Sequence, residues 1–435
     1  MTESLSQAIA LHQQGMLPQA REAYLAILAA EPANAEARHF LGMLEHLAGN
    51  AELGLSHLQA SVTMAPNKGF FHVNLGNTLK DMRRPAEAEA AYHRALELDP
   101  SDAIALYNLG HLHQLWGHWT EALGAFNAAT LLQPDFAAAW NKIASIHLRL
   151  GNSREAMDAA DKVIASCPDS APAWFHKADA LGRLDRWQES VAALEKALAL
   201  QPVFPEALNN LGLARKAQGD ITGAAEAFHA SLAQDPNFAE AFANLGQLAL
   251  DAHRHEEAYG WFAKGLEADP DNAQARFGMG NFMHAVGRHD DAASHLRRAL
   301  EIRPDFAEAL NNLGNILLSL NRHGEGLEAF QKAIRIRPDY HEAHANLGNL
   351  HREARFPDLA EASMLEAIRL KPDFAAAHSN LGNAYFDQGK LDLAIASYRK
   401  GIDLGQDDRD FVPNYLFALN YSPAFTDAEI AAEHR

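Results

Sequence analysis

Asparagine recurs at two fixed offsets of a 34-residue period, although it is a poor residue for helix interiors. A side-chain amide both donates and accepts, so a row of amides can hold the N–H and C=O groups of an extended peptide whatever its side chains are. The predicted peptide-binding residues are the asparagines at position 6 of the period: Asn74, Asn108, Asn210, Asn244, Asn312, Asn346, Asn380 and Asn414. A second set stands at position 9, one helical turn further on: Asn77, Asn281, Asn315, Asn349 and Asn383.

A second interpretation of these asparagines is inheritance. Repeats copied from one ancestral segment would all carry the residue, even if only the ancestor used it. Position 6 departs from asparagine in repeats 1, 2, 5, 6 and 9, and the row is densest in repeats 10 to 13. The residues found there instead are Ser6, Phe40, Lys142, His176 and Gly278. We favour the functional interpretation and keep inheritance as the alternative.

Motifs for catalysis or metal binding are absent from the sequence. Its 23 histidines form no His-Glu-x-x-His pair, and the chain has neither a Cys-x-x-Cys motif nor a nucleotide-binding glycine loop. The nearest approach is His341 with His344, which lacks a third ligand nearby. Since His72, His344 and His378 share position 4 with Trp140 and Trp174, we predict that they pack structurally. We therefore predict no catalytic residue, no metal and no cofactor in this chain.

The helices that carry these asparagines are indicated by proline residues, which recur every 34 positions along the chain. A fixed period of this length is typical of a solenoid, in which one supersecondary unit is stacked many times. Each proline follows a helix-forming run and can end that helix. The series is Pro32, Pro66, Pro100, Pro134, Pro168, Pro202, Pro236, Pro270, Pro304, Pro338 and Pro372.

Small residues at fixed positions predict two closely packed helices in each repeat. Position 8 is always Gly or Ala, position 20 is always small, and position 24 is often aromatic, as in Tyr92 and Phe330. Capping-box spacing, as from Asp305 to Glu308, predicts where the next first helix begins. Glycine at position 15 predicts a left-handed turn between the two helices: Gly15, Gly49, Gly117, Gly151, Gly219, Gly287 and Gly389. No stretch alternates with period two, so the fold class is all-α.

This pattern resembles the tetratricopeptide repeat, a helix–turn–helix unit of 34 residues. The resemblance implies a right-handed superhelix, an α-solenoid, of twelve repeats over residues 1–408, with the first helices lining the concave surface. Residues 409–435 are expected to hold a partial thirteenth repeat, its first helix near residues 410–421, and the start of a linker to a further C-terminal domain. The implied partners are extended or disordered protein segments.

The asparagine row narrows the resemblance. Residues 309–320 and 343–354 resemble the repeat arm of protein O-GlcNAc transferases and the related SPINDLY group, and residues 414–435 resemble the segment that joins such an arm to its glycosyltransferase domain. Thr426 and Glu429 have capping-box spacing for a new helix there. The resemblance implies a substrate-recruiting arm that can pair into a homodimer, with UDP-GlcNAc bound only if a transferase domain follows. The alternative is a stand-alone assembly scaffold without enzymatic activity.

The composition indicates the cellular compartment and argues against some classes of binding partner. The net charge of −19, without a concentrated basic face, argues against nucleic acid. A single cysteine, Cys167, fits a reducing compartment. The polar N-terminus and the absence of a long apolar run argue against a secretion signal and a membrane span, so we expect a cytoplasmic protein. A clamp for C-terminal carboxylates is disfavoured because position 5 carries no lysine.

Overall fold

A computed structural model describes residues 3–405 and 408–422 of the chain. Within those residues the protein has 25 α-helices and no strand, which confirms the all-α prediction. The chain divides into two compact units, Met1–Asp220 and Ile221–Arg435, and each is considered by itself. The division falls between the two helices of the seventh repeat. Thr426 and Glu429 lie outside the described residues.

The first unit contains six complete helix pairs and the first helix of a seventh. In most repeats the first helix has 13 residues and the second has 14. The helices are α1 Glu3–Gln13, α2 Leu17–Ala30, α3 Ala35–Leu47, α4 Ala51–Met64, α5 Gly69–Asp81, α6 Pro85–Leu98, α7 Ala103–Leu115, α8 Trp119–Leu132, α9 Ala137–Arg149, α10 Ser153–Ser166, α11 Ala171–Arg183, α12 Trp187–Leu200 and α13 Pro205–Ala217.

The second unit begins with the second helix of the seventh repeat and continues with five pairs and a last helix. Its helices are α14 Ile221–Gln234, α15 Ala239–Asp251, α16 His255–Ala268, α17 Ala273–Ala285, α18 His289–Ile302, α19 Ala307–Ser319, α20 His323–Ile336, α21 His341–Glu353, α22 Pro357–Leu370, α23 Ala375–Asp387, α24 Leu391–Asp403 and α25 Asp408–Leu419.

The crossing of the two helices in a repeat depends on the small residue at position 8. A Cβ atom added to Gly314 would lie 2.5 Å from Cε1 of Phe330, the aromatic residue at position 24 of the same repeat. Gly76 stands in the same relation to Tyr92, at 2.6 Å. The rings are fully buried, and each contributes about 1.5–3 kcal/mol through burial of its side chain. The predicted close crossing is therefore present.

The turn between the helices of a repeat has a left-handed residue at position 15 throughout. All seven glycines predicted there have positive φ, between 74° and 88°. The other five repeats adopt the same conformation without glycine, which was not predicted. They use the following residues, with φ between 56° and 60°: Arg83, Asp185, His253, Asn321 and Arg355.

The start of the first helix differs from the prediction by one residue. The capping residue stands at position 34, so that Phe306 rather than Asp305 precedes α19. Side-chain caps form where position 34 is Asn or Asp, as when Asn34 accepts from the Ala37 N–H and Asn272 accepts from the Ala275 N–H. The predicted capping box at Asp305 is therefore wrong, because its side chain lies one residue too early to reach the free N–H groups of the first turn.

Two glycine substitutions separate turn conformation from packing. Gly151 has φ of +79° and Gly124 lies within α8, and an added Cβ meets nothing within 4 Å at either site. We expect Gly151→Ala to destabilise its repeat by about 1–2 kcal/mol, because only backbone strain changes. Gly124→Ala should instead stabilise its helix by about 0.5–1 kcal/mol. Site-resolved hydrogen exchange on both variants measures these changes, and equal protection in the two would contradict the assignment.

Candidate functional site

The predicted asparagines all lie on first helices. Seven of them are half-buried and Asn414 is exposed. Within each unit the first helices of successive repeats contact one another, whereas contacts between successive second helices are sparse among the described residues. The stack in each unit therefore curves toward its first helices, and position 6 lies on that inner surface. We call this surface the first-helix groove.

In the second unit, several of these amides bond to the preceding first helix. Asn312 Nδ2 on α19 donates to Asn281 Oδ1 on α17 at 2.9 Å, and Asn346 Nδ2 on α21 donates to Asn311 Oδ1 on α19 at the same distance. Asn414 Nδ2 on α25 donates to Asn383 Oδ1 on α23 at 3.2 Å. Each bond joins residues 31 or 35 positions apart in the chain. These amides therefore connect successive repeats.

Asn74 makes the corresponding connection in the first unit. Its Nδ2 lies 3.0 Å from His39 Nε2 and 3.3 Å from Met43 Sδ, both on the preceding first helix α3. We name Asn74, Asn312, Asn346 and Asn414 the bridging asparagines. This structural role of the asparagines was not predicted from the sequence, where the alternatives were peptide binding and inheritance.

His39 is the buried acceptor of the Asn74 bridge. Its ring is fully buried and stacks on Phe71 with centroids 4.1 Å apart, and its Nδ1 lies 3.5 Å from Ser61 Oγ. Ser61 in turn donates to the Leu58 carbonyl at 2.7 Å, so the arrangement fits a neutral ring that donates from Nδ1 and accepts at Nε2. Burial, with a smaller contribution from the Lys68 ammonium, lowers the pKa of His39 to about 3.

Three other predicted asparagines have no such bond. No side-chain hydrogen bond joins Asn108, Asn210 or Asn380 to another of the described residues. We name these three the open asparagines. Each is half-buried in the groove wall, so its amide is held near the surface with its hydrogen-bonding capacity unused. Asn244, the eighth predicted residue, is half-buried on α15 and does have an interaction partner.

Tyrosines at position 24, on the second helix, donate hydrogen bonds to the position 9 asparagines on the first helix of the same repeat. Tyr92 OH donates to Asn77 Oδ1 at 2.7 Å, and Tyr398 OH donates to Asn383 Oδ1 at the same distance. Burial, with a smaller contribution from the Asp81 carboxylate, raises the pKa of Tyr92 well above that of a free phenol, so the hydroxyl keeps its proton and stays a donor. The amide orientation at the groove surface is thus fixed by the second helix.

A row of basic side chains crosses the groove of the first unit. Lys80, His111 and Lys142 are successively 31 residues apart on α5, α7 and α9, the same spacing that the Asn312–Asn281 bond uses. Burial lowers the pKa of Lys142, and burial with the two nearby ammoniums lowers the pKa of His111. Among the described residues Lys142 has no ion-pair partner, whereas Lys80 lies 3.7 Å from an Asp81 carboxylate oxygen. Lysine is therefore present in the groove at positions 6 and 12, although position 5 has none.

Comparison with known proteins identifies the repeat. A tetratricopeptide repeat profile matches residues 5–68, 117–171, 175–237, 285–341 and 346–409, and two other profiles of the same description match residues 216–279 and 70–102. The chain belongs to the tetratricopeptide repeat family. The search of curated proteins gives no match.

Solved structures that resemble this tetratricopeptide repeat chain include two with low identity. The crystal structure of the APC/C hetero-tetramer Cut9-Hcn1 contains a chain that is 14% identical, with 95% of each chain covered and a TM-score of 0.48. The MamA RS-1 ArsTM double mutant is 21% identical over 39% of this chain and 95% of that one, with a TM-score of 0.37.

The position 4 histidines of the tetratricopeptide repeats have a structural bond in common. His72, His344 and His378 each place Nε2 within 2.9–3.0 Å of the carbonyl oxygen of the proline six residues earlier. Trp140 and Trp174 donate from Nε1 to the equivalent carbonyl at 2.9 Å. Arg38 and Arg276 donate to the equivalent proline carbonyl as well, so a side-chain N–H at position 4 ties the first helix to the end of the preceding repeat in these seven repeats.

In the part of the chain that the structure describes, no group of three or more His, Cys, Asp or Glu side chains is arranged to hold a metal ion. None of its helices combines the length and apolar character that a membrane span needs.

Acidification should weaken the contact between α3 and α5. Unfolded His39 binds a proton below about pH 6.5, whereas folded His39 does so only near pH 3, so stability is lost as the pH falls between these values. At pH 5 we expect a loss of about 2 kcal/mol in the opening free energy of these helices. Hydrogen exchange at pH 7.5 and pH 5, corrected for intrinsic rates, measures it.

The matched variant for this test is His39→Gln, which keeps an acceptor for Asn74 but does not titrate. Its α3 and α5 amides should show a smaller pH dependence, while α23 and α24 provide an internal reference in the same sample. An unchanged pH dependence in His39→Gln would assign the effect to other groups.

Proposed function

We propose that this protein is a protein-interaction scaffold that binds extended or disordered segments along the first-helix groove. The observation that carries the proposal is the set of open asparagines, whose half-buried amides have no partner among the described residues. An amide in that state can pair with a peptide N–H or C=O without first breaking an internal bond. Membership of the tetratricopeptide repeat family supports a role in binding proteins.

The bridging asparagines contribute differently in this proposal. Asn74, Asn346 and Asn414 donate through Nδ2 to the preceding helix, which leaves the carbonyl oxygen of each amide to accept from a bound backbone N–H. The open asparagines can both donate and accept. The two sets therefore make different predictions when removed: loss of an open amide affects binding alone, and loss of a bridging amide affects stability as well.

The test replaces Asn108, Asn210 and Asn380 together by alanine. Binding of an unstructured fluorescein-labelled peptide rich in Ser, Thr and Pro, followed by anisotropy, should weaken about tenfold or more, because several hydrogen bonds of about 0.5–1.5 kcal/mol are lost. The melting profile should be unchanged. Asn127→Ala, an exposed asparagine on the second helix α8, is the control and should leave both measurements unaltered.

The bridging pair provides the complementary measurement. Asn312→Ala with Asn346→Ala should lower the protection of α17, α19 and α21 against hydrogen exchange, since their inter-repeat bonds are removed. If the open triple variant binds the peptide as well as the unaltered protein does, the groove amides are not the peptide-binding groups.

We further propose that the scaffold is the substrate-recruiting arm of an O-GlcNAc transferase-like or SPINDLY-like enzyme. The support is the resemblance of residues 309–320, 343–354 and 414–435 to such arms; the family comparisons concern the repeats alone. In this proposal the groove delivers flexible substrates, two copies pair through the repeats, and UDP-GlcNAc binds to a separate domain. The stand-alone scaffold is the competing function.

Intact mass spectrometry of the protein isolated from its own cells distinguishes the two. A mass well above the 47.6 kDa of this chain, with transferase activity toward Ser and Thr, is expected for the recruiting arm. A mass near 47.6 kDa would instead establish the stand-alone scaffold, without affecting the proposal for the groove.

A further inference from the structure

A cavity of about 310 Å³ opens between α11 and α13 in the first unit. Its wall is mostly apolar, with Ala178 and Gly182 from α11, Trp187 from α12 and Leu213 from α13. Ser190 contributes to the floor, where its hydroxyl donates to the Ala178 carbonyl at 2.8 Å. The polar atoms of the floor are therefore already paired. Asn210, one of the open asparagines, lies at the rim.

The cavity has an identifiable origin in the sequence. Position 12 of the repeat carries a long side chain in eleven repeats, such as Leu148, Leu250 and Phe386, and glycine only at Gly182. The indole of Trp187 lies against the bare backbone at that point, since a Cβ on Gly182 would be 3.0 Å from Trp187 Cζ3. Removal of the usual side chain thus leaves a hole, and an aromatic ring forms part of its lining.

The charged residues at the rim are paired with each other. Arg183 Nε donates to Asp179 Oδ1 at 3.1 Å, and Arg183 Nη1 donates to the Leu148 carbonyl. Asp179 occupies position 9 of its repeat. In two other repeats the residue at position 9 is Asn281 or Asn383, and its side-chain oxygen accepts a hydrogen bond from the position 6 amide of the following repeat. Asp179 is instead engaged by Arg183, and Asn210 makes no bond of that kind. The unused amide and the cavity therefore occur at the same place.

We propose that this cavity is an anchor site for one large apolar side chain, of the class Leu, Met or Phe, carried by an extended peptide whose backbone bonds to Asn210. The inference rests on the proposed function of the first-helix groove and adds a side-chain preference to it. A cavity of about 150 Å³ already accommodates benzene, so the volume is sufficient for a phenylalanine ring. The apolar wall with a single available amide matches the usual composition of a ligand pocket.

The site confers specificity that the asparagine row cannot supply. Amides hold any backbone equally well, so they select no sequence. One apolar pocket at Gly182 would fix the register of a bound segment and favour peptides with a large apolar residue at that point. The neutral Asp179–Arg183 pair at the rim gives no reason to prefer a charged side chain there.

The test uses two peptides that differ in one residue, acetyl-Ser-Thr-Ser-Phe-Ser-Thr-Ser-amide and its alanine counterpart. The protein is labelled with 5-fluorotryptophan, and the Trp187 resonance among the six is assigned from Trp187→Phe. The phenylalanine peptide should shift the Trp187 resonance saturably and bind about tenfold or more tightly than the alanine peptide.

The variant that fills the cavity is Gly182→Leu, which introduces the residue that three other repeats have at position 12, as Leu148, Leu250 and Leu318. It should reduce binding of the phenylalanine peptide to the level of the alanine peptide. The matched control is Gly124→Leu on α8, the same change at a site with open space around it, which should preserve the difference.

The outcomes are separable from those of the groove proposal. Equal binding of the two peptides to the unaltered protein overturns the anchor site and leaves the groove intact. Absence of binding by both, together with no binding of the longer fluorescein-labelled peptide, overturns the proposed function and the anchor site with it. Because the peptide comparison needs no variant, a Gly182→Leu protein that fails to fold does not prevent a decision.

Discussion

Every repeat of this chain depends on the close crossing of its two helices at position 8. The ring of Phe330 occupies the space where a side chain on Gly314 would be, and the same relation holds for Tyr92 at Gly76. A solenoid has no central core, so each pair is stabilised only by its own crossing and by its neighbours. The crossing therefore sets both the thickness of a repeat and the position of the next one.

A constant step between repeats has a direct consequence for the groove. Residues 31 or 35 apart are brought together each time, so position 6 of one repeat meets position 9 or position 5 of the preceding repeat. In the second unit the first contact holds Asn312 with Asn281, and in the first unit the second contact holds Asn74 with His39. Lys80, His111 and Lys142 are also 31 residues apart. Groove chemistry in this protein is a set of substitutions at a few repeated contacts.

The features that the sequence predicted are those that one repeat determines by itself. The helix crossing requires a small residue, the left-handed turn favours glycine, and proline ends a helix, so all three are visible in the pattern. The left-handed turns at Arg83 and Arg355 were missed because the backbone bonds that close the first helix, from the Arg84 N–H to the Leu79 carbonyl and from the Phe356 N–H to the His351 carbonyl, require a conformation that arginine does not favour. The cap at Asn34 was displaced by one residue because the turn geometry, not the spacing, decides which side chain reaches the free N–H groups.

The asparagine bridges could not be predicted from a repeat alignment, since they depend on the offset between two repeats. That offset also means that a dense stretch of asparagines is not a row of unpaired amides, because many of them bond to the preceding helix. The row is densest in repeats 10 to 13, where Asn312, Asn346 and Asn414 all bond to the preceding helix. Asn210 directly follows the interruption of the row by Lys142 and His176, and it lies beside the Asp179–Arg183 pair and the cavity at Gly182. Available amides therefore occur both beside a break in the pattern, at Asn210, and within its most regular stretch, at Asn380, so the density of asparagine alone does not locate them.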